Sequence, residues 1–228
     1  MKGFATHIAT WVLVLVLGGA SVHAAETYEK SLKAGEEHLA SAEFDQAISE
    51  FEAALVQAQT NTKKALARSK KAYVLAFKKQ DYRAAEDQAD KALELDNVEP
   101  VGRVTALQVK AKCLMELSKK KNRFERAEKI IEEALDLKGV EWSRPGLLLL
   151  LGDCYRFSGR FEEALRTLRK ITAMPSVDKG MKAVACLHMG FTHQYGRRDP
   201  VGARAAYKAA VGFNPDMETE IEQHLDKL

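Results

Sequence analysis

The sequence predicts an all-α protein: a solenoid of about five stacked helix pairs finished by a C-terminal capping helix. Two observations carry that prediction. A pattern recurs about every 38 residues, in which Gly or Ala is followed roughly 12 positions later by another small residue, then by a large residue and a further small or apolar one. The clearest copies are Gly35, Ala47, Phe51 and Ala54; Gly152, Ala164, Leu168 and Ile171; and Gly190, Ala203, Tyr207 and Ala210, followed by Pro215. Composition agrees: Ala, Leu, Glu and Lys dominate and only 5 residues are proline, so long helices go uninterrupted. Stacked helix pairs build binding surfaces more readily than reaction vessels.

Residues 1–24 read as a cleavable signal peptide, followed by a repeat domain over 25–228. Lys2 gives a short positive start, Ile8 to Ala20 is apolar apart from Thr10, and Gly18 and Gly19 weaken the helix. Val22, His23 and Ala24 then offer a small-residue cleavage site, with cutting expected after Ala24 and Ala25 as the second choice. The other reading is an uncleaved anchor. The apolar run spans roughly 20 Å of helix against the ~30 Å of a bilayer core, which favours cleavage. The protein is therefore expected to be exported, to a bacterial periplasm or outside the cell.

Repeat one, over 28–61, carries Gly35 on its first helix and Phe44, Ala47, Phe51 and Ala54 on its second. Repeat two, over 66–99, has Tyr82 at the entry of the second helix and Ala85, Ala89 and Ala92 along it. Repeat three, over 104–138, has Ala111, then Phe124, Ala127, Ile131 and Ala134; its stretch from Glu116 to Asn122 reads as an extra helical turn with a basic end. Repeat four, over 145–176, opens on Pro145, which suits a first helical turn, and carries Leu148, Leu151, Gly152, Tyr155, Gly159, Phe161, Ala164 and Leu168. Repeat five, over 183–215, carries Leu187, Gly190, Ala203, Tyr207 and Ala210, with one additional residue around 197–201. Residues 216–228 are acidic early and amphipathic, as a capping helix would be. Small residues sit where two helices cross closely, and the large residues fill the gaps beside them. Each pair leaves apolar surface that only a stacked neighbour covers.

The order Leu148, Leu151, Gly152, Tyr155, Gly159, Phe161, Ala164, Leu168, Pro175 resembles the tetratricopeptide repeat, and so does Phe44, Ala47, Phe51, Ala54. The resemblance runs from about Tyr28 to Pro215. Repeat two departs from it in holding Tyr73 where the family prefers a small residue. The resemblance implies a right-handed solenoid whose first helices line an inner face. It implies a non-catalytic scaffold or adaptor for a protein or extended peptide. A self-associating structural protein and an accessory subunit of an envelope enzyme complex are the alternatives.

Chemistry is sparse. The net charge of +3, from 35 basic and 32 acidic residues, gives no footprint for nucleic acid. Cys113 and Cys154 fall at equivalent places in adjacent repeats. Stacked pairs lie on the order of 10 Å apart, too far for a disulfide, so all three cysteines, Cys186 included, are expected as buried thiols. His188 and His193 are five apart and point to different helix faces. No ligand set, nucleophile triad or phosphate loop completes itself, so no catalytic residue, metal or cofactor is assigned. The basic run from Lys119 to Arg123 reads as a solvated helix end, or as a contact for anionic lipid or an acidic partner.

By the resemblance, the inner face takes Glu36, Lys70, Gln108, Lys112, Asp153, Arg156, Phe157, Phe191, Gln194 and Tyr195. The Lys, Asn and Arg clamp of the family's chaperone-tail binders is not reproduced. What remains is a mixed-charge groove with Phe157, Phe191 and Tyr195 toward its C-terminal half, and aromatics with Arg are common interface anchors.

Overall fold

The computed structural model describes residues 26–120 and 122–228. The expected signal peptide and its cleavage point lie outside the described residues. The described chain is helical throughout: α1 (26–40), α2 (Phe44–Gln57), α3 (Asn61–Phe77), α4 (Tyr82–Leu93), α5 (Pro100–Leu117), α6 (Arg123–Asp136), α7 (Arg144–Phe157), α8 (Phe161–Ala173), α9 (Lys179–Phe191), α10 (Pro200–Phe213) and α11 (Glu218–Leu225). No strand occurs among the described residues, and no helix there is long and apolar enough to cross a membrane. Two compact units divide between Val109 and Lys110, inside α5.

Helix starts follow capping chemistry. The Thr60 hydroxyl accepts from Lys63 N at 3.2 Å, and Asp81, Asp178 and Asp199 cap α4, α9 and α10 in the same way. Pro100 and Pro200 open their helices, where a missing N–H costs nothing. These signals place α3, α5 and α9 four or five residues earlier than the sequence-derived repeat starts at 66, 104 and 183. Small residues mark a crossing point and not a helix end, so starts counted back from them fall late.

In the first unit, α1, α2 and α3 enclose Tyr28, Leu32, Ala47, Phe51, Ala54 and Val74. Gly35 is buried against Phe51, and a Cβ there would overlap its ring. The Tyr28 hydroxyl donates to Lys63 O at 3.1 Å, tying α1 to α3. Tyr73 does not take the small-residue position. The α3–α4 turn is one residue longer than the α1–α2 turn: Asp81 N bonds Leu75 O, whereas Glu43 N bonds His38 O. The extra residue moves Ala72 into the crossing, fully buried, and leaves Tyr73 half-buried and stacked on Phe77.

In the second unit, α7 packs on α8 and α9 on α10, with α6–α7 and α8–α9 contacts joining the pairs. Leu168 fills the space beside Gly152, and Tyr207 the space beside Gly190. The insertion in repeat three is not an extra helical turn. Helix α5 ends at Leu117, residues 118–120 are non-helical, and the Arg123 guanidinium donates back to Ser118 O at 2.8 Å. Ser118, Lys119 and Lys120 offer no apolar side to pack, so nothing holds them in a helix. The additional residue of repeat five is taken up by a π-helical segment, Thr192–Arg197, at the end of α9. A 3₁₀ turn, Pro215–Met217, leads into α11, whose Ile221 is 1% exposed in a core cluster with Leu187 and Tyr207. Cys113, Cys154 and Cys186 are buried and form no disulfide among the described residues. Burial pushes Cys154 up to about 12 and Cys186 to about 11, so neither is nucleophilic.

Candidate ligand-binding face

The first helices of the pairs carry every residue expected to line a groove, the last two of them on the π segment. In the first unit, Glu36 on α1 and Lys70 on α3 form an ion pair at 2.6 Å, and Gln108 on α5 is half-buried. In the second unit, Lys112 on α5 pairs with Glu116, one turn on, at 2.6 Å. The remaining six residues converge where α7 meets α9.

Asp153, on α7, is the centre of that convergence. Its side chain is only 14% exposed. Oδ1 accepts from Arg156 Nη2 at 2.9 Å and Nε at 3.3 Å, and lies 2.9 Å from His188 Nδ1 on α9. Burial alone would raise the Asp153 pKa and is the largest single influence. The hydrogen bond and charge of His188, with those of Arg156, outweigh it and hold the carboxyl below its ordinary range. All these donors use one oxygen. Oδ2 has no partner among the described residues and is not sealed from solvent.

Aromatic rings flank this carboxylate. The Arg156 guanidinium lies 4.0 Å from the Phe157 ring centroid, and Phe157 stacks on Phe124 at 5.6 Å while remaining 53% exposed. Phe191 sits 5.9 Å from His188 and 6.1 Å from Tyr195, which is 59% exposed. Contacts therefore run unbroken from Phe157 through Arg156, Asp153, His188 and Phe191 to Tyr195. The π segment places Tyr195 beside Phe191 and turns its neighbour Gln194 the other way. Gln194 accepts from the Tyr207 hydroxyl at 2.5 Å and donates to His224 O at 3.4 Å. Phe191 also packs edge-on to Tyr207 and His224. Gln194 and Phe191 thus fasten the cap as well as bordering the face.

His188 is the residue of this face that the sequence reading did not assign to it. A signal for it existed. Polar pairs 34 or 35 residues apart meet repeatedly: Glu29 with Lys63, Asp45 with Lys79, Asn61 with Asp96, and Asp153 with His188. One repeat of chain returns to the neighbouring helix at about the same height, so an acid and a base at that interval are candidates for contact. Among the described residues no group of His, Cys, Asp and Glu side chains is arranged to hold a metal ion.

Comparison with known proteins bears on the fold. The tetratricopeptide repeat family model matches residues 147–175, which span α7 and α8. The fold is similar to that of TTC0263, a thermophilic TPR protein of Thermus thermophilus, with a TM-score of 0.68 and 16% identity over 87% of this chain and 98% of that one. It is also similar to YrrB, a TPR protein described as having an unusual peptide-binding site, with a TM-score of 0.51 and 20% identity over 87% of this chain and 91% of that one. No curated protein matches the sequence. One tetratricopeptide repeat is thus matched in sequence, at residues 147–175, and the fold over most of the chain is that of tetratricopeptide repeat proteins.

Proposed function

We propose that this protein is an exported, non-catalytic scaffold that binds an extended segment of another protein on the α7–α9 face. The carrying observation is the unshared Oδ2 of a fixed, ionised Asp153, set between the exposed rings of Phe157 and Tyr195. A carboxylate already paired with Arg156 and hydrogen-bonded to His188 has little to offer a cation. It suits a neutral donor, such as the backbone N–H of an extended peptide, and the flanking rings suit apolar side chains on either side of it. The centre is preorganised by its own hydrogen bonds, so binding costs little ordering of the receptor. YrrB, similar in fold, is described as having a peptide-binding site, which supports the same class of ligand here.

In-cell crosslinking with mass spectrometry tests the site, with wild type beside a Phe157→Ala, Tyr195→Ala double variant. Both rings are more than half exposed, so the variant should keep its circular dichroism spectrum. The expected result is a partner captured by wild type and reduced about tenfold or more in the variant. Equal capture by both would move recognition off this face. Export rests on the N-terminal segment, and N-terminal sequencing of protein recovered from the cell envelope should begin at Ala25. An intact Met1 in that fraction would retire cleavage.

A further inference from the structure

We propose that the solvent face of α10 is a second docking surface, which takes an acidic segment of a partner protein bearing an apolar side chain. Helix α10 contains no Asp or Glu. Arg204 and Lys208 stand one turn apart on it, and Arg198 precedes it in a left-handed turn. None of these three cations has an ion-pair or hydrogen-bond partner among the described residues. The acids nearby are committed elsewhere: Asp199 to His193 and the Gly202 N–H, Glu162 to Arg197. Cations one helical turn apart repel each other, so the fold gains nothing from this arrangement.

Between the cations the surface is apolar. Val201 is 78% exposed, and with Pro200 and Ala205 it floors a shallow depression of about 340 Å³ edged by Arg204 and Lys208. This is not a property of second helices in general. Helix α2 carries Asp45, Glu50 and Glu52 and no base, while α4, α6 and α8 mix both signs. An apolar floor rimmed by unshared cations complements a chain that presents an apolar side chain flanked by carboxylates. An anionic membrane fits less well, because one exposed valine gives no large apolar side chain to insert beneath the headgroups.

The test is fluorescence anisotropy with a labelled peptide of one leucine between two pairs of glutamates. Wild type should bind it, and more weakly as salt is raised. Arg204→Glu, Lys208→Glu should weaken binding at least tenfold, with Arg204→Gln, Lys208→Gln as the milder pair should charge reversal perturb the fold. Val201→Ser should weaken it severalfold. The Phe157→Ala, Tyr195→Ala variant should bind the acidic peptide like wild type, so failure here and failure of the α7–α9 reading are separate results. The proposal falls if the peptide does not bind, if neither Arg204/Lys208 pair alters binding, or if phosphatidylglycerol vesicles bind wild type in place of the peptide.

Discussion

Within the helix pairs, the residue just before the second helix's N-cap is left-handed in four described turns: Ala42, Gln80, Gly159 and Arg198. Only Gly159 takes that conformation without a Cβ penalty. Ala42→Gly removes a small side chain from an exposed position and leaves the turn bonds in place. It should raise stability by roughly 0.5–1 kcal/mol, read as a shift of the urea midpoint; a lower midpoint would mean that unfolded-chain entropy outweighs the strain. Asp153 gives a second test at this scale. Its pKa is lower in the fold than in the unfolded chain. The ionised carboxylate therefore adds stability that is fully present above the unfolded value near ~4 and is lost as pH falls through the lower folded value. Asp153→Asn should cost about 1.5–3 kcal/mol at neutral pH by weakening hydrogen bonds that now join charged groups. Its stability should then fall less steeply than wild type below about pH 4. Parallel curves would assign the acid loss to the other carboxylates that are shifted down, exposed Asp87 and part-buried Asp199.

Helix pairs are built around a few crossings, and the cap is the thinnest of these elements. Helix α11 has one fully buried side chain, Ile221. Ile221→Ala should cost about 2–4 kcal/mol of the stability of the packing around Tyr207, measured by thermal unfolding. A loss under ~1 kcal/mol would mean that Met217 and Leu225 hold the cap without it. The crossings were legible in the sequence because they need two unlike residues at a fixed distance: Gly35 with Phe51, Gly152 with Leu168, Gly190 with Tyr207. Helix starts were less legible, since the caps at Thr60 and Asp178 lie outside that pattern. The Tyr73 departure is a register shift of a single residue, because one more residue in a turn rotates the whole preceding helix relative to its partner. The π segment was visible only as surplus length. Where surplus goes depends on whether the next helix has a fixed start, and here the Asp199 cap and Pro200 fix it. His188 escaped notice because its partner is one repeat away, and helix periodicity within a single segment carries no information about that.

A chain of repeats distributes its stability unevenly, since each pair is held by its neighbours and not by a shared centre. The contacts here follow that rule: α7 meets α6, α8 and α9, and α10 meets α9 and α11. A defect placed at the cap should therefore stay local. In the Ile221→Ala variant, hydrogen exchange should speed up in α9, α10 and α11, where Phe191, Tyr207 and Ile221 depend on one another, and remain unchanged in α1 to α4. Position relative to the α7–α9 face makes this informative about binding as well. Tyr195 and Gln194 sit on the π segment that the cap holds through the His224 carbonyl, whereas Asp153 and Arg156 are fixed by α7. Loosening the cap should weaken any ligand that uses Tyr195 while leaving the Asp153 centre formed. Hydrogen exchange that rises equally in all helices would show instead that the chain unfolds as one cooperative body. The cap would then act through global stability and not through Tyr195.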